Sequence, residues 1–451
     1  MLVSVNPATG RRLAVYRTAT RSDLERAVAR ADVAQQGWRR LTPRQRGTFV
    51  AALARELRVR RDALAALATD EMGKPVTQAR GEVEKCAGLC DYYAANAPRL
   101  LREERPAGTQ GRVVFEPLGI VLAIMPWNFP FWQVFRAAIP AIAGGNAVLL
   151  KHAPNVPGCA LALAKVFERA GVPPGVFQSL PIGTQPVPGL IADSRIRGVT
   201  LTGSTRAGRE VAALAGAAIK PAVLELGGSD PAIVLEDADL DRAVDLAAQA
   251  RLLNSGQSCI CAKRFIVVAS IRGEFEKRFT ARVAAARVGD PKDPRTEIGP
   301  LARADLRDHL AAQVRRSVRQ GARVLLAGGP RRGAGFFSDP TVLGDVAPGM
   351  AAFDEETFGP LAAIVPARDE ADAVRLANAT RFGLGASVYT RNLARGRRVA
   401  AQLEAGCVFI NDFVRSSPEL PFGGIKDSGF GRELGRWGLQ SFLNIKTVVG
   451  S

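Results

Sequence analysis

The sequence is poor in histidine: His152 and His309 are the only two in 451 residues. Histidine-based catalytic triads and histidine-rich metal sites both depend on this residue type. The scarcity argues against both, and we predict no metal site. A nucleophilic enzyme built from this chain needs a different general base.

A disulfide framework and a membrane span are also missing. Six cysteines in so long a chain do not staple it. The longest apolar run, Ile120–Met125, is closed by Pro126 and falls far short of the ~20 residues that cross a bilayer. The first seven residues contain no basic segment followed by an apolar one, so no signal peptide is predicted. We expect a cytoplasmic protein with no membrane partner.

The chain carries a formal net charge of +18, from 61 Lys and Arg against 43 Asp and Glu. The arginines are spread along predicted helices, such as residues 55–61 and 315–319, and no basic cluster alternates with aromatic residues that stack on bases. We therefore predict no nucleic-acid partner. Two alternatives from other classes are a basic nucleic-acid-binding protein that has kept an enzyme fold and a purely structural protein.

With 47% hydrophobic and 23% charged residues, the chain is expected to fold into two or three lobes. Its first ~100 residues predict helices. Residues 22–25 and 42–45 are capping boxes, and a third helix is predicted over Ala79–Ala97. From Gly119 onward, short apolar runs alternate with helical stretches, which predicts parallel sheets. The predicted strands are Ile120–Met125, Ala147–Leu150, Val199–Thr202, Ala222–Leu226, Ala232–Leu235 and Phe265–Val268.

Three short motifs carry groups suited to catalysis. Cys259 follows a small, glycine-containing turn that can expose a thiolate. Glu225 ends an apolar strand, where burial can turn a carboxylate into a general base. Asn128 lies between two prolines at another strand end and can donate to an oxyanion. Each motif alone also fits an ordinary role: a buried apolar cysteine, an ion pair or a capping asparagine.

Taken together and in order, the motifs resemble those of the aldehyde dehydrogenase superfamily, and the resemblance extends from Asn6 to the tail. The motifs are Pro126–Pro130, Leu201–Gly208, Glu225–Gly228, Gly256–Cys259, Glu355–Pro360 and Pro421–Gly431. The resemblance implies that Cys259 attacks an aldehyde while Asn128 and the Cys259 N–H hold the oxyanion. It also implies that Glu225 activates the water that hydrolyses the resulting thioester, which argues against a relative that passes its acyl group to coenzyme A.

The same resemblance implies a nicotinamide cofactor, NAD or NADP. The implied cofactor-binding residues are Trp127, Lys151, Gly203, Ser204, Glu356 and Phe358. Members that prefer NAD often carry Glu three residues after the lysine, and this chain has Pro154 there. No carboxylate then repels a 2′-phosphate, so we expect NADP to be tolerated, and a preference for NADP over NAD is open.

Among family members, the chain looks most like the short bacterial succinate-semialdehyde dehydrogenases. Arg136, eight residues after Asn128, is expected to bind a distal carboxylate of the substrate. Ser416 matches the carboxylate-binding serine of these enzymes. Their second arginine, six residues before the nucleophile, is replaced by Leu253. Glutarate semialdehyde and aliphatic or aromatic aldehydes remain alternative substrates.

The resemblance further implies an α/β architecture with three parts. A Rossmann-like dinucleotide-binding domain is expected over residues 1–98 and 116–227, and an α/β catalytic domain over residues 228–427. A small β oligomerisation arm is expected over residues 99–115 and 428–451, and its tail, Phe442–Val449, is expected to pair as an edge strand with another subunit. A homodimer and a homotetramer are both open. So is a disulfide between Cys259 and Cys261 that switches activity off.

Overall fold

The computed structural model describes residues 1–450. The helices are α1 (Arg21–Trp38), α2 (Pro43–Val59), α3 (Arg61–Met72), α4 (Val76–Leu100), α5 (Trp132–Ala143), α6 (Pro157–Arg169), α7 (Val187–Ala192), α8 (Thr205–Ala217), α9 (Leu240–Leu252), α10 (Arg272–Ala284), α11 (Ala304–Arg319), α12 (Ala351–Asp354), α13 (Glu370–Asn378), α14 (Leu393–Ala400) and α15 (Gly435–Gln440).

The strands are β1 (Leu2–Val5), β2 (Arg12–Tyr16), β3 (Gly111–Pro117), β4 (Ile120–Met125), β5 (Ala147–His152), β6 (Phe177–Ser179), β7 (Ile196–Thr202), β8 (Ala222–Glu225), β9 (Asp230–Val234), β10 (Ala262–Val268), β11 (Arg323–Leu326), β12 (Gly329–Pro330), β13 (Ser338–Asp339), β14 (Thr341–Gly344), β15 (Leu361–Ala367), β16 (Phe382–Gly383), β17 (Gly385–Tyr389), β18 (Cys407–Ile410), β19 (Ile425–Lys426), β20 (Gly429–Phe430) and β21 (Leu443–Val449).

The first hundred residues are mostly helical, as predicted, but one cap was misplaced. Thr20, two residues before the predicted Ser22, caps α1 by accepting from the Asp23 N–H. The Asp23 carboxylate in turn accepts from the Thr20 N–H at 2.8 Å, so the capping box begins two residues earlier in the chain than predicted. The second box is confirmed, with Thr42 and Gln45 in these roles and Pro43 in the first turn of α2. α4 extends the predicted third helix by three residues at each end.

One six-stranded sheet follows the order β20–β8–β7–β4–β5–β6 and is parallel except for the short β20. All residues of β5 and nearly all of β4 are buried, as expected for central strands covered on both faces. Helices α2–α6 pack on one face, and α1, α7 and α8 pack on the other. This arrangement confirms the prediction of a parallel α/β lobe.

A second sheet has seven strands in the order β11–β14–β15–β10–β9–β17–β18, with only β11 antiparallel to its neighbour. It also has a hydrophobic core on each face. Every residue of β9 and β10 is buried, including Lys263 and Arg264. The domain boundaries given above remain a prediction; the observed sheets take their parallel strands from residues 120–225 and 230–410.

The tail strand β21 pairs with β3 of the same chain in an antiparallel register that runs from Leu443–Pro117 to Val449–Gly111. One edge of this segment is therefore occupied within the chain, and pairing of its other edge with another subunit stays a prediction. In residues 1–450, no helix has the length and apolar character that a bilayer span requires.

The order of the six-stranded sheet brings the predicted motifs together. β8, β7 and β4 are adjacent and parallel, and they end at Glu225, Thr202 and Met125. The carboxyl ends of parallel strands lie at one edge of a sheet, where α/β proteins bind their ligands. The general-base candidate Glu225, the Gly203–Ser204 turn and the segment that holds Asn128 therefore share this edge.

Candidate active site

The segment before Cys259 has an unusual backbone. Asn254, Ser255 and Gly256 adopt φ values of 54°, 57° and 75°, in the left-handed region. Residues other than glycine rarely occupy this region, and such strain persists only where the surroundings impose it. A Cβ atom on Gly256 would lie 2.3 Å from the Gly359 carbonyl oxygen, so glycine is required there for space as well as for conformation.

Buried hydrogen bonds from several segments hold this turn. The Asn254 N–H donates to Gln78 Oε1 at 2.7 Å, and Ser255 Oγ accepts from the Gly299 N–H at 2.9 Å. Arg251, with no exposed surface, donates to the carbonyls of Gly256 at 2.7 Å and of Gly359 at 2.8 Å. The Arg251 guanidinium is thus bound to backbone carbonyls. Leu253 lines the cavity that contains Cys259, and Arg251 does not.

Asn128 lies directly against residues 254–261, which include the candidate nucleophile Cys259 and are called the nucleophile segment below. Its side chain is 4% exposed, and Nδ2 donates to the Gln257 carbonyl at 3.1 Å. In return, the Asn254 amide donates to the Asn128 carbonyl at 2.7 Å. The side-chain amide is therefore fixed beside the turn that carries Cys259, as an oxyanion donor must be.

His152 supports the loop after β4 that holds Asn128, and both of its ring nitrogens are engaged in hydrogen bonds, so it is not placed to act as a base. Its Nδ1 accepts from the Ala153 N–H at 2.8 Å, which leaves Nε2 to donate to the Pro130 carbonyl at 2.8 Å. Burial lowers the pKa of this imidazole to about 4, despite hydrogen bonds that favour the charged form. A neutral, fully bonded His152 locks the loop after β4.

Glu82 on α4 anchors the other end of this loop. One carboxylate oxygen accepts from the N–H groups of Phe131 at 2.8 Å and Trp132 at 2.9 Å, at the amino end of α5. The second oxygen forms a buried ion pair with Lys74. A carboxylate at a helix amino terminus is favoured by the helix dipole and by the unpaired N–H groups there.

Glu225 is 1% exposed, and neither carboxylate oxygen has a hydrogen-bond partner among residues 1–450. The nearest cationic group is Arg136, whose Nη2 lies 4.0 Å from a Glu225 oxygen. Burial raises the pKa of Glu225 well above its usual range, and Glu433 adds to this while Arg136 opposes it. A desolvated carboxylate with free oxygens is able to accept a proton from water.

Arg136 lies on the wall of the cavity that contains Cys259, but its charge is already shared. The guanidinium forms a buried ion pair with Glu433, lies near Glu225 and stacks 4.6 Å from the centre of the Phe422 ring. This arrangement stabilises two buried carboxylates. Sequence reasoning expected Arg136 to serve a substrate carboxylate and did not anticipate Glu433.

Cys259 is half-buried, and burial raises the pKa of its thiol to about 12. Arg136 and Lys263 oppose this rise because their positive charges favour the thiolate. Lys263 is fully buried and donates to three carbonyls of the nucleophile segment, those of Ser258 at 3.1 Å, Cys259 at 2.7 Å and Cys261 at 3.2 Å. It therefore both fixes the backbone and supplies positive potential. Cys259 and Cys261 are free thiols in this structure.

The Cys259 thiol opens into a cavity of about 310 Å³. Its walls are largely aromatic and apolar, from Phe129, Trp132, Ile260, Phe413, Val414 and Phe422. Polar residues also line the cavity, among them Arg136, Arg415 and Ser416, which is 6% exposed. The Lys85 amine, on the same lining, donates to Ser416 Oγ at 2.9 Å. Apolar walls with a few oriented polar groups are typical of a small-molecule site.

The residues predicted to hold a dinucleotide suit that ligand. α8 begins immediately after the Gly203–Ser204 turn, and Ser204 caps it by accepting from the Ala207 N–H at 3.3 Å, so the helix terminus favours a pyrophosphate. Lys151 is buried at the end of β5, where burial lowers the pKa of its amine.

On the side of the cradle nearer Cys259, Glu356 accepts from the Gly228 N–H at 3.1 Å, and burial raises the pKa of its carboxyl group. Trp127 and Phe358 form an edge-to-face pair with ring centres 5.7 Å apart. A carboxylate and flat aromatic surfaces near the nucleophile suit the ribose and ring of a nicotinamide. Lys263 donates to the Cys259 carbonyl and lies 3.9 Å from a Glu356 oxygen, so this end of the predicted cofactor site, called the dinucleotide cradle below, adjoins the Cys259 segment.

Sequence reasoning missed four charged residues of this site: Lys85, Glu82, Glu433 and Lys263 in a mechanistic role. Only Lys263 carried a signal, since it and Arg264 interrupt an apolar strand in which charges are costly unless paired. The others lie among other charged residues on a helix or in the tail, and only the fold shows what they face.

Comparison with known proteins agrees with this geometry. Residues 2–448 match the aldehyde dehydrogenase family. The chain is 49% identical over 448 residues to the NAD(P)+ succinate semialdehyde dehydrogenase Sad of Escherichia coli (strain K12), covering 99% of this chain and 97% of that protein. It is 48% identical over 452 residues to a probable NADP+ succinate-semialdehyde dehydrogenase of Synechocystis sp., covering 99% of both chains.

Among solved structures, the succinic semialdehyde dehydrogenase of Streptococcus pyogenes in complex with NADP+ is similar, with a TM-score of 0.97 and 35% identity over 99% of both chains. Gox0499 has the same TM-score at 40% identity, over the full length of both chains. The predicted family and fold are confirmed.

The charges around Cys259 predict how its reactivity depends on pH. With a thiol pKa near 12 in the cofactor-free protein, the thiolate fraction rises about tenfold per pH unit, so alkylation by iodoacetamide should accelerate about 100-fold from pH 7 to pH 9. Lys263→Met removes a positive charge that favours the thiolate and should raise the thiol pKa by about one unit, which corresponds to ~1.4 kcal/mol. Alkylation should then be about tenfold slower at each pH. Mass spectrometry of the Cys259 peptide measures the rate.

The matched control is Lys277→Met, which removes an exposed lysine from α10. An alkylation rate that levels off below pH 8, or an equal effect of the two substitutions, would contradict this account of the thiol.

Proposed function

The chain belongs to the aldehyde dehydrogenase family, and from that premise we propose that it oxidises succinate semialdehyde to succinate with NAD(P)+. The observation that carries the proposal is the meeting of Cys259, Asn128 and Glu225 beside a dinucleotide cradle. Relatives named as succinate-semialdehyde dehydrogenases, 48% and 49% identical over nearly the whole chain, support the choice of aldehyde.

In the first half of the reaction, the Cys259 thiolate attacks the aldehyde carbon and forms a thiohemiacetal. Asn128 Nδ2 and the Cys259 N–H stabilise the negative oxygen. The loss of ~2.7–4 kcal/mol on removing one such donor in other enzymes indicates how much each contributes. The rigid left-handed turn holds the sulfur where the carbonyl carbon arrives.

Bound NAD(P)+ supplies the hydride acceptor, and loss of hydride from the thiohemiacetal leaves a thioester on Cys259. Lys151, Gly203 and Ser204 would hold the adenosine and pyrophosphate end. Glu356, Phe358 and Trp127 would orient the nicotinamide end toward the sulfur. As the hydride leaves, the electron pair of the oxyanion would form the thioester carbonyl. No proton leaves in this step, because the thiol proton was already lost when the Cys259 thiolate formed.

In the second half, Glu225 takes a proton from a water molecule that attacks the thioester. The carboxylic acid is released, and the thiolate of Cys259 is restored. Glu225 must be ionised to act as a base, and the nearby Arg136 cation favours that state, although burial opposes it. Balanced over both halves, one aldehyde, one NAD(P)+ and one water give a carboxylate, NAD(P)H and two protons.

We propose Ser416 and Arg136 as substrate-side residues of the cavity. Ser416 is the better placed for direct contact, because its hydroxyl lies in the cavity wall beside the Lys85 amine. Arg136 contributes positive potential while it remains paired with Glu433. Glutarate semialdehyde, which is one carbon longer, is the alternative substrate that the same wall would accept.

We also propose that the chain forms a homodimer or homotetramer through the β3–β21 ribbon and its surroundings. Several large apolar side chains are exposed there: Phe430 at 50%, Trp437 at 52%, Ile445 at 58% and Val449 at 71%. Exposed apolar side chains gathered around an uncovered two-stranded sheet are typical of a surface that another subunit covers.

Steady-state formation of reduced cofactor tests the substrate. The wild-type enzyme should show a kcat/KM at least about 100-fold higher for succinate semialdehyde than for butanal, because two charge-assisted hydrogen bonds contribute roughly 1.5 kcal/mol or more each. Butanal has the same chain length without the carboxylate. Equal values for the two aldehydes would overturn the assignment, and a preference for glutarate semialdehyde would shift it to that substrate.

The exposed Pro154 governs the choice of cofactor in this account. Pro154→Glu should lower kcat/KM for NADP+ about tenfold or more, since the new carboxylate repels a 2′-phosphate, and should leave NAD+ within about threefold. Pro154→Gln is the control of equal size. The explanation fails if the glutamine variant discriminates against NADP+ as strongly as the glutamate variant does.

A further inference from the structure

Lys85 is a charged residue of the substrate cavity that the sequence did not single out. It lies on α4, and its amine is held between Ser416 Oγ at 2.9 Å and the ring of Trp132, whose centre is 4.2 Å away. Both contacts lie on the wall that also contains Cys259. Two contacts from different segments fix the direction of an otherwise flexible side chain.

The carboxylate in the same cavity lining, Glu82, is engaged elsewhere, and so is the carboxylate that pairs with the lining residue Arg415. Glu82, one turn earlier on α4, is bound to Lys74 and to the N–H groups at the start of α5. Asp412 pairs with Arg415. Within residues 1–450, no carboxylate forms an ion pair with Lys85, whose polar partner is a neutral hydroxyl. A partly buried cation with no ion-paired carboxylate favours an anionic ligand.

The other charges that face Lys85 strengthen this preference. Arg136 on α5 and Arg415 after β18 are both positive, while Glu82 and the Cys86 thiol on α4 favour the cation. Burial lowers the pKa of the Lys85 amine to about 8, and the two arginines add to this. Near neutral pH the amine is mostly charged, and an arriving carboxylate stabilises that charge.

Arg136 is less available than Lys85 for the same task. Its guanidinium is paired with Glu433 and lies 4.0 Å from Glu225, so two protein carboxylates already compete for it. Diverting it to a substrate would leave Glu433 unpaired in a buried site, which is costly. Leu253, at the place of the family's second arginine, offers no charge.

We infer that Lys85, together with Ser416, binds the distal carboxylate of the aldehyde substrate. Lys85 thus provides the direct cationic contact that neither Leu253 nor the engaged Arg136 supplies. The inference rests on the proposed function and adds to it the residue that selects semialdehydes over uncharged aldehydes. It also gives a role to the Lys85 ammonium group, which has no ion-paired carboxylate in the protein: it binds the carboxylate of the substrate.

The test is the ratio of kcat/KM for succinate semialdehyde to that for butanal. Lys85→Met, which keeps the length of the side chain and removes its charge, should lower this ratio about 10- to 100-fold, as expected for the loss of a charge-assisted contact. Lys277→Met should leave the ratio unchanged. Arg136→Met should lower both rates together, because it leaves Glu433 and Glu225 unpaired.

A pH profile of the same ratio gives a second readout. In the wild type the ratio should fall above about pH 8, where Lys85 in the free enzyme loses its proton, whereas ionisation of Cys259 affects both substrates and cancels. Lys85→Arg should shift this fall to higher pH, because a guanidinium keeps its proton. A merely structural lysine would not produce this shift.

Calorimetric binding of succinate to a Cys259→Ser enzyme removes catalysis from the test. Affinity should fall about 10-fold or more when Lys85→Met is added. If Lys85→Met leaves the succinate affinity unchanged, the role of Lys85 is overturned. The same holds if the wild type prefers the semialdehyde and Lys85→Met leaves the substrate ratio unchanged. In both cases the proposed function stands. A wild type with no preference for the semialdehyde overturns the proposed function and this inference with it.

Discussion

The left-handed turn at Asn254–Gly256 is the constraint on which the active site depends. Asn254 and Ser255 are consecutive non-glycine residues in a disfavoured conformation, which persists only because neighbouring segments hold them. Gln78 and Asn128 contact the turn from the lobe of the six-stranded sheet, and Arg251 contacts it from α9, which packs on the seven-stranded sheet. The position of the Cys259 sulfur is therefore determined jointly by both lobes, and so is its alignment with the oxyanion donor.

Buried charge is the second organising feature. Arg136, Glu225 and Glu433 form a compact group in which one cation serves two carboxylates, and Lys263 lies beneath the nucleophile with its amine directed at three carbonyls. Burial and the cations act in opposite directions on the pKa values of Cys259 and Glu225. Burial disfavours the Cys259 thiolate and the ionised Glu225 carboxylate, while the cations favour both. Pre-positioned cations of this kind stabilise negative charge as it develops, without reorganisation.

The parts of the fold that sequence predicts well are those with strong local patterns. β4 is an apolar run closed by proline, and its bounds agree with the prediction; the Thr42 cap has a box and a proline to mark it. The cap of α1 was placed two residues late, because Thr20–Asp23 and Ser22–Glu25 both satisfy the capping pattern. Local sequence does not choose between overlapping boxes.

The site divides in the same way. Cys259, Glu225 and Asn128 lie in short motifs with characteristic spacing. Glu225 and Asn128 lie at strand ends on one edge of the six-stranded sheet, and Cys259 lies on the turn before β10. Lys85 and Glu433 have no such motif, since each acts through a partner distant in the chain. The expectation for Arg136 was incomplete for this reason: spacing places it on α5 beside the cavity but does not reveal that Glu433 holds its guanidinium.

The most direct test of the central claim is a pre-steady-state burst experiment on Glu225→Gln with an excess of succinate semialdehyde and NADP+. If Cys259 forms a thioester that Glu225 hydrolyses, the variant should release about one equivalent of reduced cofactor per Cys259. It should then stall, with hydrolysis slowed about 100-fold or more and an acyl group detectable on the Cys259 peptide by mass spectrometry. Turnover that continues at the wild-type rate, or a stalled enzyme with no acyl group on Cys259, would contradict it.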